Sequence, residues 1–144
     1  MLFDPENPIN KLCAEGMMAE GEADPEKAAN LFQQAWHEAT EAVEKLTAAH
    51  YLARHQNNVA DKLKWDEIAL SFALSISGEE IKSVFPSLYL NIGKCHEDLG
   101  NFAKAFENYL SASNFTQYLP DDGFGNMLKA GINKGIERVQ PNVG

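Results

Sequence analysis

Four histidines, two cysteines and a few cations are the residues that could give this chain a chemistry. His37-Glu38-Ala39-Thr40-Glu41 offers one imidazole where a zinc-protease helix needs two, four residues apart, so it is not a zinc motif. His50 and His55 are five residues apart, which puts them on different faces of a helix and argues against chelation by the pair. His96 occupies an aromatic position among apolar neighbours and is expected to pack. Cys13 and Cys95 stand apart, with no C-x-x-C or ligand-spaced partner, and read as two free core residues. Asp121-Asp122-Gly123 lacks the alternating oxygens and closing Glu of a calcium loop. No nucleophile elbow, Walker loop or dinucleotide fingerprint is present. The expectation is therefore no metal, no cofactor and no catalytic residues; an enzyme or small-molecule binder of unfamiliar type is the third-ranked reading.

The chain has 144 residues, of which 44% are hydrophobic and 23% charged, an ordinary globular mixture that one domain can bury without staples. Twelve Lys and Arg stand against 21 Asp and Glu, a net charge of −9. Such a surface repels phosphate backbones and anionic headgroups, so neither nucleic acid nor membrane is expected as a partner. No basic leader precedes an apolar run and no stretch is long enough for a span, which points to a cytoplasmic location.

The elements that must position these residues are helices. From Ile9, the residues Leu12, Cys13, Gly16, Met17 and Ala19 share one side, giving a helix over about Pro8 to Glu20. Gly21-Glu22-Ala23 turns the chain, and Asp24 caps a second helix whose first position is Pro25. Gly16, Ala28, Phe32 and Ala35 are separated by 12, 4 and 3 residues, and Gly93, Ala105, Tyr109 and Ala112 by the same intervals. That is an internal repeat of small, small, aromatic, small. A third copy is expected between them, with Ala49, Leu52, Ala53 and Gln56 on its first helix and Trp65, Ile68, Phe72 and Ser75 on its second.

In this alignment the middle turn, Asn57 to Lys64, is longer than its counterpart. The surplus in each connector between repeats suggests a longer second helix in the first two, with Glu38 to Lys45 as a solvent-facing extension and Ser77-Gly78 ending the next one. Pro86 opens and Gly100 ends the first helix of the third repeat. A seventh helix, about Gly125 to Arg138, covers the end of the stack, and its Gly131 and Gly135 make sense where a neighbour packs closely. Residues 140–144 are expected to fray.

The run Tyr89-x2-Ile92-Gly93-x2-His96 followed by Ala105-x3-Tyr109 resembles the tetratricopeptide repeat, with repeats 37 and 40 residues apart instead of about 34. The resemblance implies an all-α fold: a right-handed α–α superhelix of three helical hairpins (residues 8–44, 45–78 and 84–119) and a capping helix over 123–139, forming one domain over 1–144. It further implies that extended peptides or partner helices lie on the wall built by the first helix of each hairpin. Helix geometry puts Leu90, Lys94 and Glu97 on that wall, and the same offsets give His50, Arg54 and Asn57, then Cys13, Met17 and Glu20. The candidate groove is thus His50, Arg54, Asn57, Leu90, Lys94, Glu97 and Met17.

Arg54 and Lys94 fall at equivalent places and could hold a carboxylate, with Asn57 bonding a peptide backbone. The competing reading pairs both cations with surface carboxylates. The leading function is a non-catalytic protein-binding scaffold whose partner is another protein or peptide. The alternative is a self-associating homodimer closed through Phe115, Tyr118 and Phe124.

Overall fold

A computed structural model describes residues 2–143. Among them the fold is all-α, with seven helices and no strand: α1 (Pro8–Gly21), α2 (Pro25–Glu38), α3 (Ala42–Ala53), α4 (Val59–Leu74), α5 (Phe85–Asp98), α6 (Phe102–Ser113) and α7 (Gly123–Val139). Short 3-10 turns lie at Glu80–Val84, Thr116–Tyr118 and Gln140–Asn142. The last of these gives order to most of the tail expected to fray; Gly144 lies outside the described residues. Contacts divide the chain into two compact units, one ending at Ile76 and one beginning at Ser77.

In the first unit α1 packs on α2 and α3, α2 on α3, and α3 on α4. Asn7 starts α1 by accepting from the amides of Ile9 and Asn10, and Asp24 accepts from Lys27 N, each filling donors that a helix start leaves open. Ile9, Cys13, Ala28, Phe32, Ala35, Ala48 and Leu52 form the core. A side chain at Gly16 would collide with the Phe32 ring, so the glycine admits that ring between α1 and α3, where Tyr51 stacks on it at 5.0 Å. Burial of a ring this size stabilises by about 1.5–3 kcal/mol.

Three expectations about this unit are corrected. The extension over Glu38 to Lys45 does not form: α2 stops at Glu38 and α3 starts at Ala42. Glu44 causes the break, accepting from the amides of Thr40 and Glu41 at 3.0 Å each and from Asn7 Nδ2 at 2.8 Å. Those bonds hold its carboxyl down at about 2. Lys45 turns inward, with Nζ 4.2 Å over the Trp36 ring and donating to Trp36 O.

Nor is the middle turn long, because α4 begins at Val59, where Asn58 accepts from Asp61 N at 2.8 Å. The buried stripe of α4 is accordingly Asp66, Ala69 and Ala73, not Ile68, Phe72 and Ser75. Trp65 and Phe72 lie half-buried beside Trp36, at 4.9 and 6.2 Å between rings. Finally, α4 ends at Leu74, with Ser75 following it.

In the second unit α5, α6 and α7 pack on one another. Pro86 stands in the first turn of α5, and Gly100 turns its end at φ +82°. The equivalent position after α1 is Ala23, at φ +59°, a conformation that costs a non-glycine residue about 1–2 kcal/mol. Tyr109 fills the middle of the unit. A Cβ at Gly93 on α5 would come within 2.8 Å of its ring and one at Gly135 on α7 within 2.6 Å, so a glycine on each side gives the ring room. Gly131 is less demanding, since Leu90 lies at an ordinary 3.5 Å. Phe85 and Tyr89 of α5 form a ring cluster with Phe115 and Tyr118 of the α6–α7 connection.

Candidate ligand-binding face

Each unit carries a glutamate in the last turn of its first helix, held by an arginine at the end of its third. In the first unit Arg54 Nη2 donates to Glu20 Oε1 at 2.7 Å, and His55 Nε2 donates to Glu20 Oε2 at 2.8 Å. The Arg54 guanidinium lies 4.8 Å over the Tyr51 ring, and the His55 ring 5.3 Å from Phe32. In the second unit Arg138 donates to Glu97 through Nε (2.9 Å) and Nη2 (3.1 Å), and Tyr109 Oη donates to Glu97 Oε1 at 2.7 Å. The Arg138 bonds hold the Glu97 carboxyl below the usual range, while burial and Glu97 push the Tyr109 phenol up.

The two clusters differ in how completely the arginine is used. Arg138 presents a two-pronged edge to its carboxylate. Arg54 spends one Nη on Glu20, leaving Nε and the other Nη without a partner among the described residues; exposure does not separate the two side chains, at 43% for Arg54 and 46% for Arg138. Met17, 46% exposed, precedes Glu20 on α1, and Asn57 is exposed in the α3–α4 turn.

The remaining candidates separate. His50 lies on α3 with its ring 5.3 Å from Tyr51 and its Nδ1 buried without a hydrogen-bond partner among the described residues. Burial, aided by the Arg54 and Lys62 charges, pushes its imidazole down to about 4, so it is neutral near pH 7. His50, Arg54, Asn57 and Met17 belong to the first unit and Leu90, Lys94 and Glu97 to the second. Lys94 is paired with Asp98 on its own helix at 2.6 Å. Leu90 and Glu97, expected on an open wall, lie against α7: Leu90 at Gly131 and Glu97 under Arg138.

Sequence reading missed His55 and Arg138 as partners of the two glutamates. A signal existed, because Glu20 and Glu97 are 77 residues apart, as are Gly16 and Gly93. It also missed Asp66, fully buried with Lys62 Nζ at 2.9 Å, whose i, i+4 spacing the helix pattern contains.

Cys13 and Cys95 are both buried, and burial pushes the Cys13 thiol up to about 12, far from the range of a reactive thiolate. Among the described residues no cluster of three or more His, Cys, Asp or Glu could hold a metal ion. No helix among them is long and apolar enough to cross a membrane. No family model matches the chain, and no curated protein or solved structure shows significant similarity to it.

Proposed function

We propose that the protein is a tetratricopeptide-like scaffold of the cytoplasm that binds a peptide or partner helix through the α1–α3 face of its first unit, with Arg54 as anchor for a carboxylate. The observation that carries this reading is the half-used guanidinium: set over the Tyr51 ring, tied by one bond to Glu20, and with its other donors unpartnered among the described residues. A planar fork held in this way loses little freedom on taking a second carboxylate. Met17 supplies an exposed apolar contact and Asn57 an amide for a peptide backbone.

Charge limits the ligand. The first 76 residues hold 13 Asp and Glu against 6 Lys and Arg, a net −7, whereas the rest is net −2. A run of acidic residues would be repelled over roughly a Debye length, about 8 Å, so the fitting ligand brings one carboxylate on an otherwise neutral or basic peptide. Arg54→Ala is expected to weaken binding of a peptide recovered from a random library about tenfold or more, the loss of one charge-assisted bond. Its melting temperature should stay close to the parent's, because exposed ion pairs contribute about 0–1 kcal/mol. Unchanged binding would remove the reading.

Self-association is the second reading, favoured by Phe124 and Met127, 54% and 62% exposed on the first turns of α7. Phe115 and Tyr118 contribute less to such a patch, since they are half-buried and pack within the ring cluster. Light scattering across a concentration series separates the two readings: a tight dimer supports the second.

A further inference from the structure

We propose that Glu20 is an internal competitor for the ligand carboxylate at Arg54, and that His55 sets the strength of the competition by holding the other oxygen of Glu20. The inference rests on the reading above, since it concerns regulation of the same guanidinium. Glu20 divides its carboxylate between two donors on the consecutive residues that follow α3, Arg54 Nη2 at 2.7 Å and His55 Nε2 at 2.8 Å. A ligand carboxylate on the free edge of Arg54 would share one guanidinium with Glu20. Two like charges on the order of 5 Å apart, screened as fully as in bulk water, oppose each other by about fivefold in affinity, equivalent to about 1 kcal/mol.

The second unit displays what happens without the imidazole. The residue following Arg138, at the place His55 takes after Arg54, is Val139, buried and with no side-chain donor. There the carboxylate of Glu97 engages the arginine through both Nε and Nη2. Its remaining donor, Tyr109 Oη, comes from the ring that is Phe32 in the first unit. His55 therefore keeps Glu20 from closing over Arg54. The imidazole draws one oxygen toward Phe32, and the free edge of the guanidinium stays available.

Removing the charge of Glu20 and removing the imidazole of His55 are expected to act in opposite directions. A peptide recovered by panning the wild-type protein against a random library with free C termini is measured by fluorescence anisotropy on three variants, each with a melting curve. Glu20→Gln should bind about fivefold tighter, because the competing charge is gone while a hydrogen-bonding side chain remains. His55→Phe, which keeps a ring against Phe32, should bind weaker at an unchanged melting temperature, because Glu20 is then free to take both edges of Arg54. Arg54→Ala should lose binding. If Glu20→Gln and His55→Phe both weaken binding in step with a lower melting temperature, or His55→Phe leaves it unchanged, the competitor is overturned while an effect of Arg54→Ala keeps the anchor. Should Glu20→Gln not fold, the His55→Phe result decides alone. No recovered peptide, or binding indifferent to Arg54→Ala, overturns the anchor and the competitor together.

Discussion

The α1–α2–α3 and α5–α6–α7 triads are the same packing solution reached with different side chains. Each places a glycine of its first helix over the aromatic residue of its second, Gly16 over Phe32 and Gly93 over Tyr109. Each ties a glutamate at the end of the first helix to an arginine at the end of the third. The differences fall on the third helix. Tyr51 stacks on Phe32, whereas Gly135 gives way to Tyr109, whose hydroxyl then reaches Glu97.

The outer faces diverge too. Ala48 and Leu52 of α3 join the α1–α2 core, while Ala49 and Ala53, around the helix from them, are also buried, on the side where small residues suit the packing of α4. Eighty-four residues on, the spacing from Arg54 to Arg138, the corresponding α7 positions are Asn133 and Glu137, both exposed. A polar outer face ends a stack of helices, and a small apolar one extends it.

If the triads are equivalent, deleting either central ring should hurt equally. Phe32→Ala and Tyr109→Ala are each expected to lower stability by about 3–5 kcal/mol in urea unfolding. A loss confined to one of them would break the comparison. His50 provides a sharper asymmetry, because the α7 residue in its place is the exposed Lys134. Its folded pKa, about 4, lies below the unfolded value of about 6.5, so the unfolded chain binds the extra proton. Stability should be fully present above pH ~6.5 and fall by up to about 3 kcal/mol as the pH drops through 4. Unfolding curves at stepped pH, repeated on His50→Gln, check this: the variant should lack the portion of the slope between pH ~6.5 and 4.

Much of the fold was legible because small and aromatic residues recur at fixed spacing. Gly16, Phe32, Gly93 and Tyr109 could be placed from the sequence, and so could the caps at Asp24 and the turn at Gly100. The register of α4 was not legible. Ile68 and Phe72 are more apolar than Asp66, yet Asp66 lies on the buried stripe, with Lys62, one turn earlier, as a counter-charge. The break at Ala39–Glu41 escaped notice as well, since Glu44 looks like one more surface charge until its bonds to the amides of Thr40 and Glu41 are seen.

At the candidate site the sequence placed Arg54, Met17 and Asn57 on one face but said nothing of their availability. The partner of Arg54 is 34 residues away on α1 and that of Arg138 is 41 residues away on α5. Lys94 was aligned with Arg54 by position, yet it has the nearer option of Asp98 one turn along its own helix. Leu90 is apolar enough for either a ligand wall or a helix contact, and α7 decides for the contact.

The claim on which the functional reading depends is that one arginine is closed by its carboxylate and the other is half open. Side-chain NMR of the guanidinium groups tests it directly in the intact protein. Arg138 should show a slowly exchanging Nε–H and hindered Nη rotation, and Arg54 a rapidly exchanging Nε–H. Equal protection of the two Nε–H groups would mean that Glu20 closes over Arg54 as Glu97 closes over Arg138, and the α1–α3 face would have no free anchor.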